Sequence, residues 1–283
     1  MTDAFRIRQL KESEIHIPLE LAMEEGWNPG IEDGPAFFTA DPNGYFAGEI
    51  DGKLINVISA VRYGDTFGFI GLYICKSEFR TMGYGHRIWD HAMAYLGSRV
   101  IGLDAVNEQT ASYAQHGFKS VYRNIRHAGI SMCDTPMDPR LAPLGHGLFP
   151  GIRDYDRRFF PAERTQFLKT WAAPMLETRR GFAFVEDGHV RGYGIIRQCH
   201  EGYKIGPLFA DEPEIADTLF RTLAGQVKGQ TIILDTPEPN AAALLMAEKY
   251  ELSPEFETFR MYRGLAPDLP LDQLYGITTF ELG

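Results

Sequence analysis

Cysteine is scarce. Cys75, Cys133 and Cys199 make an odd set with no C-x-x-C pair, which argues against a secreted disulfide framework and against a structural zinc site. Long apolar runs are missing as well: the most apolar stretch, Phe67 to Cys75, is short and glycine-broken, and Met1 to Arg6 shows no apolar signal core. There is no Asn-x-Ser/Thr site, so the expected protein is soluble and cytoplasmic. Positive charge is in deficit, 28 basic against 38 acidic residues for a net charge of −10. The long-range field therefore repels nucleic acid and anionic membranes and favours cationic small molecules. His86, His91, His116 and His127 show no metal-ligand spacing, so no metal is expected.

What is present is enough apolar residue, 44% of 283, to bury a sizeable core, at a length that favours two domains over one. Between Ser131 and Gly151 four prolines and three glycines interrupt any regular period. This linker divides the chain into domains 1–134 and 140–283, and both are acidic. The first reads as strand Phe5–Leu10, helix Glu12–Gly26, strand Tyr45–Ile50 closed by Asp51-Gly52, and strands Leu54–Tyr63 and Thr66–Cys75. Helix Gly83–Leu96, strand Val100–Ala105, helix Asn107–His116 and strand Phe118–Arg126 follow. The second reads as strands 182–186, 189–197 and 203–209, helix 212–226, strand 231–235, helix 240–250 and strand 255–262. The class is α+β (mixed α/β). Local echoes point to duplication: Ile70-Gly71-Leu72-Tyr73 against Ile205-Gly206-Pro207-Leu208-Phe209, and Leu103-Asp104 against Leu234-Asp235.

One segment carries chemistry. Leu72 to Gly85 takes a buried strand into Arg80-Thr81-Met82-Gly83-Tyr84-Gly85 and then a helix. Glycines 83 and 85 remove Cβ atoms where a ligand approaches the backbone, and the first amides of the helix form a fixed donor set for an anion such as a pyrophosphate. Arg80 adds a charge-assisted contact. G-x-x-x-x-G-K-[ST] and G-x-G-x-x-G are both absent, which excludes the nucleotide P-loop and the dinucleotide fingerprint.

The pattern R-x-x-G-x-G after a strand resembles the acyl-CoA loop of the GNAT (Gcn5-related) N-acetyltransferases. Ser112-Tyr113-Ala114-Gln115-His116-Gly117-Phe118 is similar to that family's F-Y-E-K-x-G-F. Glu25-Gly26-Trp27-Asn28-Pro29-Gly30, Ser59 to Gly64 and the tandem layout resemble the YitH/HolE-type group. The resemblance implies two tandem GNAT-like domains, each a mixed, mostly antiparallel twisted sheet flanked by helices, with splayed central strands. It implies acetyl-CoA or another acyl-CoA as donor: Ile74 and Cys75 offer main-chain groups to the pantetheine arm, and Arg80, Thr81, Met82, Gly83, Tyr84 and Gly85 hold the pyrophosphate. Asn107 contacts the arm and Tyr113 lies near the thioester sulfur. Thr81 departs from the pattern, which commonly has glycine there. In the second domain, residues 206–214 occupy the loop position without its glycines and with added carboxylates, so a single cofactor site is expected.

Acyl transfer to an amine needs a neutral nucleophile, a polarised carbonyl and a proton for the departing thiolate. Tyr113, whose phenol is protonated at neutral pH, suits the last role, against a purely packing role. Asp104 and Glu49 are the carboxylates available as base, although an Asp ending a strand also suits a helix cap. Cys75 reads as a small buried hydrophobe rather than a nucleophile. Trp27, Asn28, Tyr63 and Tyr122, with Phe37, Phe38 and Phe67, are candidates for an amine-acceptor pocket or for core packing. The function this supports is transfer to a small-molecule amine in a ternary complex. A non-catalytic acyl-CoA sensor and a protein-lysine acetyltransferase are the alternatives. Oligomeric state is not readable from the sequence.

Overall fold

The computed structural model describes residues 5–173 and 176–283; the first four residues, part of the segment read above as lacking a signal core, lie outside it. Chain order in the first half is β1 (Arg6–Gln9), a 3₁₀ turn at Glu12–Glu14, α1 (His16–Glu24), α2 (Asp33–Ala40), β2 (Tyr45–Ile50), β3 (Lys53–Tyr63) and β4 (Phe67–Cys75). Then come α3 (Tyr84–Leu96), β5 (Val100–Ala105), α4 (Thr110–Gln115) and β6 (Lys119–Ile130). The second half runs β7 (Leu141–Pro143), α5 (Phe149–Asp156), α6 (Thr165–Trp171), β8 (Arg179–Glu186), β9 (His189–Gln198), β10 (Tyr203–Ala210) and α7 (Pro213–Gly225). It closes with β11 (Thr231–Pro237), α8 (Ala241–Lys249), β12 (Ser253–Arg263) and β13 (Leu274–Gly276). Hairpins at Asp51-Gly52 and Asp187-Gly188 place both of their central residues at positive φ, as the favoured two-residue hairpin turn requires.

One twisted sheet runs through both halves, in the order β1-β2-β3-β4-β5-β12-β6-β11-β10-β9-β8-β7, with β13 on β10. Among the described residues only β4–β5 and β10–β11 pair in parallel. The last strand of each half has crossed over: β12 lies against β5, β6 lies against β11, and β12 and β6 pair with each other at the centre. The chain-order partition at 134–140 is thus bridged by an exchange of one strand in each direction.

The two parallel pairs part at equivalent points. β4 and β5 pair as far as Ile70 with Leu103, and β10 and β11 as far as Ile205 with Leu234, which are the residues of the sequence echoes. Beyond Ile70 the register with β3 also slips. Gly71 faces Ser59 and Ile74 faces Val57, so Leu72 and Tyr73 together oppose Ile58, and Leu72 has φ 48°. Such a bulge bends the strand and takes backbone groups out of the ladder.

Behind the first splay α3 lays Ile88, Trp89, Ala92 and Leu96 on the sheet, in a cluster with Ile58, Ile70, Leu103 and Phe118. A larger cluster joins the halves, with Phe37 of α2 stacked on Trp171 of α6. Asp33 of α2 is fully buried between Arg179 of β8 and Arg197 of β9, both at 3.1 Å.

Of the segment 206–214, strand β10 takes the residues up to Ala210, in line with the strand read over 203–209, and only Asp211 and Glu212 separate it from α7. The remaining read helices and strands are present, but α2, α5, α6 and the terminal segment with β13 carry structure that the periodicity did not announce.

Candidate active site

Where β4 and β5 diverge, a cavity of about 500 Å³ opens, lined from both halves of the chain. One end is the glycine loop. Arg80 Nε donates to the Cys75 carbonyl at 2.8 Å, and its guanidinium pairs with Glu25, so the loop is braced against the end of β4 and the residue after α1. Thr81 stands at φ 65° and Gly83 at φ 86°. The left-handed geometry at position 81 accounts for the glycine commonly found there, since a β-branched residue adopts it only under strain. Gly83 caps α3 and has nothing within 4 Å of where a Cβ would stand, leaving open space in front of the helix. A Cβ at Gly85 would come 2.8 Å from the Tyr73 hydroxyl. The α3 ladder starts with Arg87 N–H to the Gly83 carbonyl, so the Gly85 and His86 amides lie outside the helix's own bonding.

Of the residues read as cofactor-binding, Ile74, Cys75, Arg80, Thr81, Gly85 and Tyr113 line this cavity. Met82 is exposed, Tyr84 packs on Phe5 and Phe79, and Asn107 is exposed one residue past the lining residue Val106. Tyr113 projects from α4 against Trp89 and Phe118. Burial pushes its phenol well above the usual value, so it holds its proton throughout the neutral range.

Another part of the wall is formed by Trp27, Arg126, Phe256, Thr258, Phe280 and Glu281, with Arg126 lying over the Phe256 and Phe280 rings and donating to the Trp27 carbonyl. Trp27, read from the sequence as an acceptor-pocket candidate, lines the cavity. Asn28, Tyr63 and Tyr122 are outside the lining, and each has other partners. Asn28 exchanges hydrogen bonds with the Glu201 backbone, and Tyr63 donates to the Leu282 carbonyl at 3.1 Å. Tyr122 is buried beside Tyr262 and Arg260. Phe256, Thr258, Phe280 and Glu281 were invisible to the sequence reading, because only strand exchange and the path of the last ten residues bring them to β4.

Asp104 lies on the wall with both oxygens engaged. Arg260 donates Nε and Nη2 to it at 2.8 Å each, and Asn124 donates at 2.9 Å. Burial pushes its carboxyl above the usual range against the pull of Arg260. The same arrangement recurs in the other half, where Asp235 of β11 receives Arg126 of β6 at 2.7 and 3.0 Å. In each case the Asp and the Arg are directly opposite across the exchanged strand. Glu49 is held by Arg6 and Arg8 on β1 and does not line the cavity.

The second splay is filled. β13 pairs antiparallel with β10, Leu208 opposite Gly276 and Phe209 opposite Leu274, while the Ile277 amide donates to the Asp235 carbonyl. The position corresponding to the first half's open slot is occupied by the chain itself. Asp211, in the short connection to α7, is taken up by Arg158, Arg191 and Tyr155.

Comparisons with known proteins agree with this geometry. The acetyltransferase (GNAT) family pattern matches residues 8–118, and the acetyltransferase (GNAT) domain pattern matches 152–276. Holothin acyltransferase of Pseudoalteromonas sp. (strain SANK 73390) is 29% identical over 265 residues, covering 93% of this chain and 90% of that protein. The uncharacterized N-acetyltransferase YitH of Bacillus subtilis (strain 168) is 22% identical, covering 78% of each. Among solved structures, one described as an acetyltransferase from Pyrococcus horikoshii superposes with a TM-score of 0.80 at 19% identity, covering 100% of this chain and 97% of its own. A tandem GNAT protein from the clavulanic acid biosynthesis pathway gives 0.62 at 10%, covering 93% and 100%. No helix among the described residues is long and apolar enough to cross a membrane. The chain belongs to the GNAT N-acetyltransferases, a family that uses acyl-CoA, and carries two such domains in tandem.

Proposed function

We propose that this enzyme transfers an acetyl group from acetyl-CoA to a small-molecule primary amine, directly, within a ternary complex. The observation that carries the reading is the open splay beyond Ile70 and Leu103: its cavity joins the glycine loop, Tyr113 and an aromatic wall to which the first half gives Trp27 and the second half Phe256 and Phe280. Acyl-CoA is a substrate here, and the chemistry it brings is an activated thioester. Residues 80–85 suit its diphosphate, with Arg80 and the amides ahead of α3 as donors. The exposed backbone edge of Ile74 and Cys75 suits an extended amide-bearing arm. The bulge at Leu72 and Tyr73, both on the cavity wall, supplies main-chain donors for a carbonyl oxygen that gains charge. Tyr113 supplies the proton that the sulfur takes as it leaves.

An acceptor end enclosed by Trp27, Phe256 and Phe280 favours a small molecule over a lysine on a protein surface. Asp104, the carboxylate first read as base, is better understood as a brace, because its equivalent Asp235 makes the same pair beside a filled slot. One donor site per chain is part of this proposal.

Calorimetric titration with acetyl-CoA, paired with detection of free thiol across a panel of primary amines, tests it. The expected result is one site per chain and amine-dependent thiol release. Acetyl-CoA binding with no amine-dependent release would turn the reading into that of a sensor. Absence of binding would remove it.

A further inference from the structure

Among the described residues three carboxylates line the cavity, and two are already neutralised. Glu25 pairs with Arg80 and Asp104 with Arg260. Glu281 is the third. It is 3% exposed, and among the described residues its carboxylate has no cation within 4.0 Å and no hydrogen-bond partner. Thr258, which also lines the cavity, is likewise 3% exposed, and among the described residues its hydroxyl has no partner. A buried hydroxyl without a partner is costly unless a ligand completes it, and Glu281 lines the same cavity without an ion-pair partner of its own.

The segment that carries Glu281 is held at every step. β13 anchors it in the sheet, and Arg164 donates to Thr278 Oγ1 at 3.0 Å and to the Gly283 carbonyl at 3.3 Å. Thr279 Oγ1 accepts from the Glu281 and Leu282 amides, and Tyr63 donates to the Leu282 carbonyl. A Cβ at Gly71 would overlap the Glu281 carbonyl, so this segment touches β4 one residue past its last pairing with β5. Charges facing Glu281 come from Arg126, Arg197 and Lys204. Arg126 is matched by Asp235 and Arg197 by Asp33, while Lys204 donates to the Asn28 carbonyl.

Resting on the function proposed above, we infer that Glu281 receives the acceptor's ammonium group and takes its proton, with Thr258 as a second polar contact and the rings of Trp27, Phe256 and Phe280 selecting a compact, ring-bearing primary amine. The step balances. Glu281 removes one proton from the ammonium, and the neutral nitrogen bonds to the thioester carbonyl carbon. The carbon–sulfur bond breaks, and Tyr113 gives its proton to the sulfur. The second nitrogen proton passes to water, the Tyr113 phenolate is reprotonated from solvent, and Glu281 releases its proton. The products are an amide and free thiol.

The test uses the full-length protein with acetyl-CoA and benzylamine, tyramine or tryptamine, comparing wild type with Glu281→Gln. The expected result is a fall in kcat of about 10²-fold or more, with acetyl-CoA affinity changed by less than about threefold. The lost rate should return roughly tenfold per pH unit between pH 7 and 9, as the amine itself becomes neutral in water. A purely structural counter-charge would lower affinity or melting temperature without that recovery, and this outcome overturns the inference, as does unchanged kcat. If Glu281→Gln does not fold, Glu281→Asp serves instead: kcat should fall at least tenfold at unchanged acetyl-CoA affinity, and wild-type kcat would overturn the inference. A wild type that binds acetyl-CoA but acetylates none of these amines overturns the functional reading itself, whereas active wild type with an equally active Glu281→Gln overturns only this assignment.

Discussion

Tyr113 shows what a single residue needs in order to act as a proton donor. Its phenol is kept protonated by burial and faces the cavity, with Trp89 and Phe118 fixing the ring. Tyr113→Phe retains the ring packing and removes the hydroxyl, so turnover is expected to fall by roughly 10² while acetyl-CoA affinity stays near wild type. Equal turnover in steady-state assays would take Tyr113 out of the mechanism. Thr81 illustrates the opposite case, a residue at odds with its own backbone angle of φ 65°. Thr81→Gly should relieve about 1 kcal/mol of strain, measurable as a higher unfolding midpoint with donor affinity retained. A lower midpoint would mean that the threonine side chain contributes more than its backbone costs. These loop positions were legible because the strand–glycine–helix pattern is local. Glu281 was not, since its role depends on a fold that carries residue 281 to residue 71.

At the scale of elements, the duplicated strand pairs decide how the carboxylates are read. A strand-ending Asp invites either a helix cap or a catalytic base, and Leu103-Asp104 alone could not choose between them. The sheet chooses, because Asp104–Arg260 and Asp235–Arg126 are the same cross-strand pair made twice. Removing one member strands a buried arginine, a loss of about 3–5 kcal/mol. Asp104→Asn and Asp235→Asn should therefore destabilise by similar amounts in denaturant titrations, and the folded fraction of Asp104→Asn should turn over within about tenfold of wild type. A stable Asp104→Asn with turnover reduced by 10² or more would restore it as the base. Most strands and the long helices α3 and α7 were readable from period and turn chemistry. The short helices α2, α5 and α6 were not. Each has seven or eight residues, too few for a clear period; α2 and α6 owe their places to contacts between the halves, such as Phe37 on Trp171 and Asp33 between two arginines, and α5 is held on β9 through Tyr155 and Asp156.

For the whole molecule, the consequence is cooperativity. A linker rich in proline and glycine suggests two bodies joined by a tether, and such a chain would melt in two steps. The strand exchange makes this unlike a tether, because β5 finds its outer neighbour only in β12 and β11 only in β6. Residues 1–134 alone would lack β12, expose the hydrogen-bonding edge of β5, leave Asp104 without Arg260, and lose Phe256, Thr258, Phe280 and Glu281 from the cavity wall. An unpaired strand edge of this kind favours association over a folded monomer. The full chain is therefore expected to unfold in a single calorimetric transition, with van't Hoff and calorimetric enthalpies agreeing, and acetyl-CoA should raise the whole transition rather than one part of it. Two resolved transitions, with only the first shifting on adding acetyl-CoA, would mean that the exchanged strands contribute little to cohesion. Donor binding by a soluble, monomeric 1–134 fragment would carry the same meaning, since the site would then need nothing from the second domain.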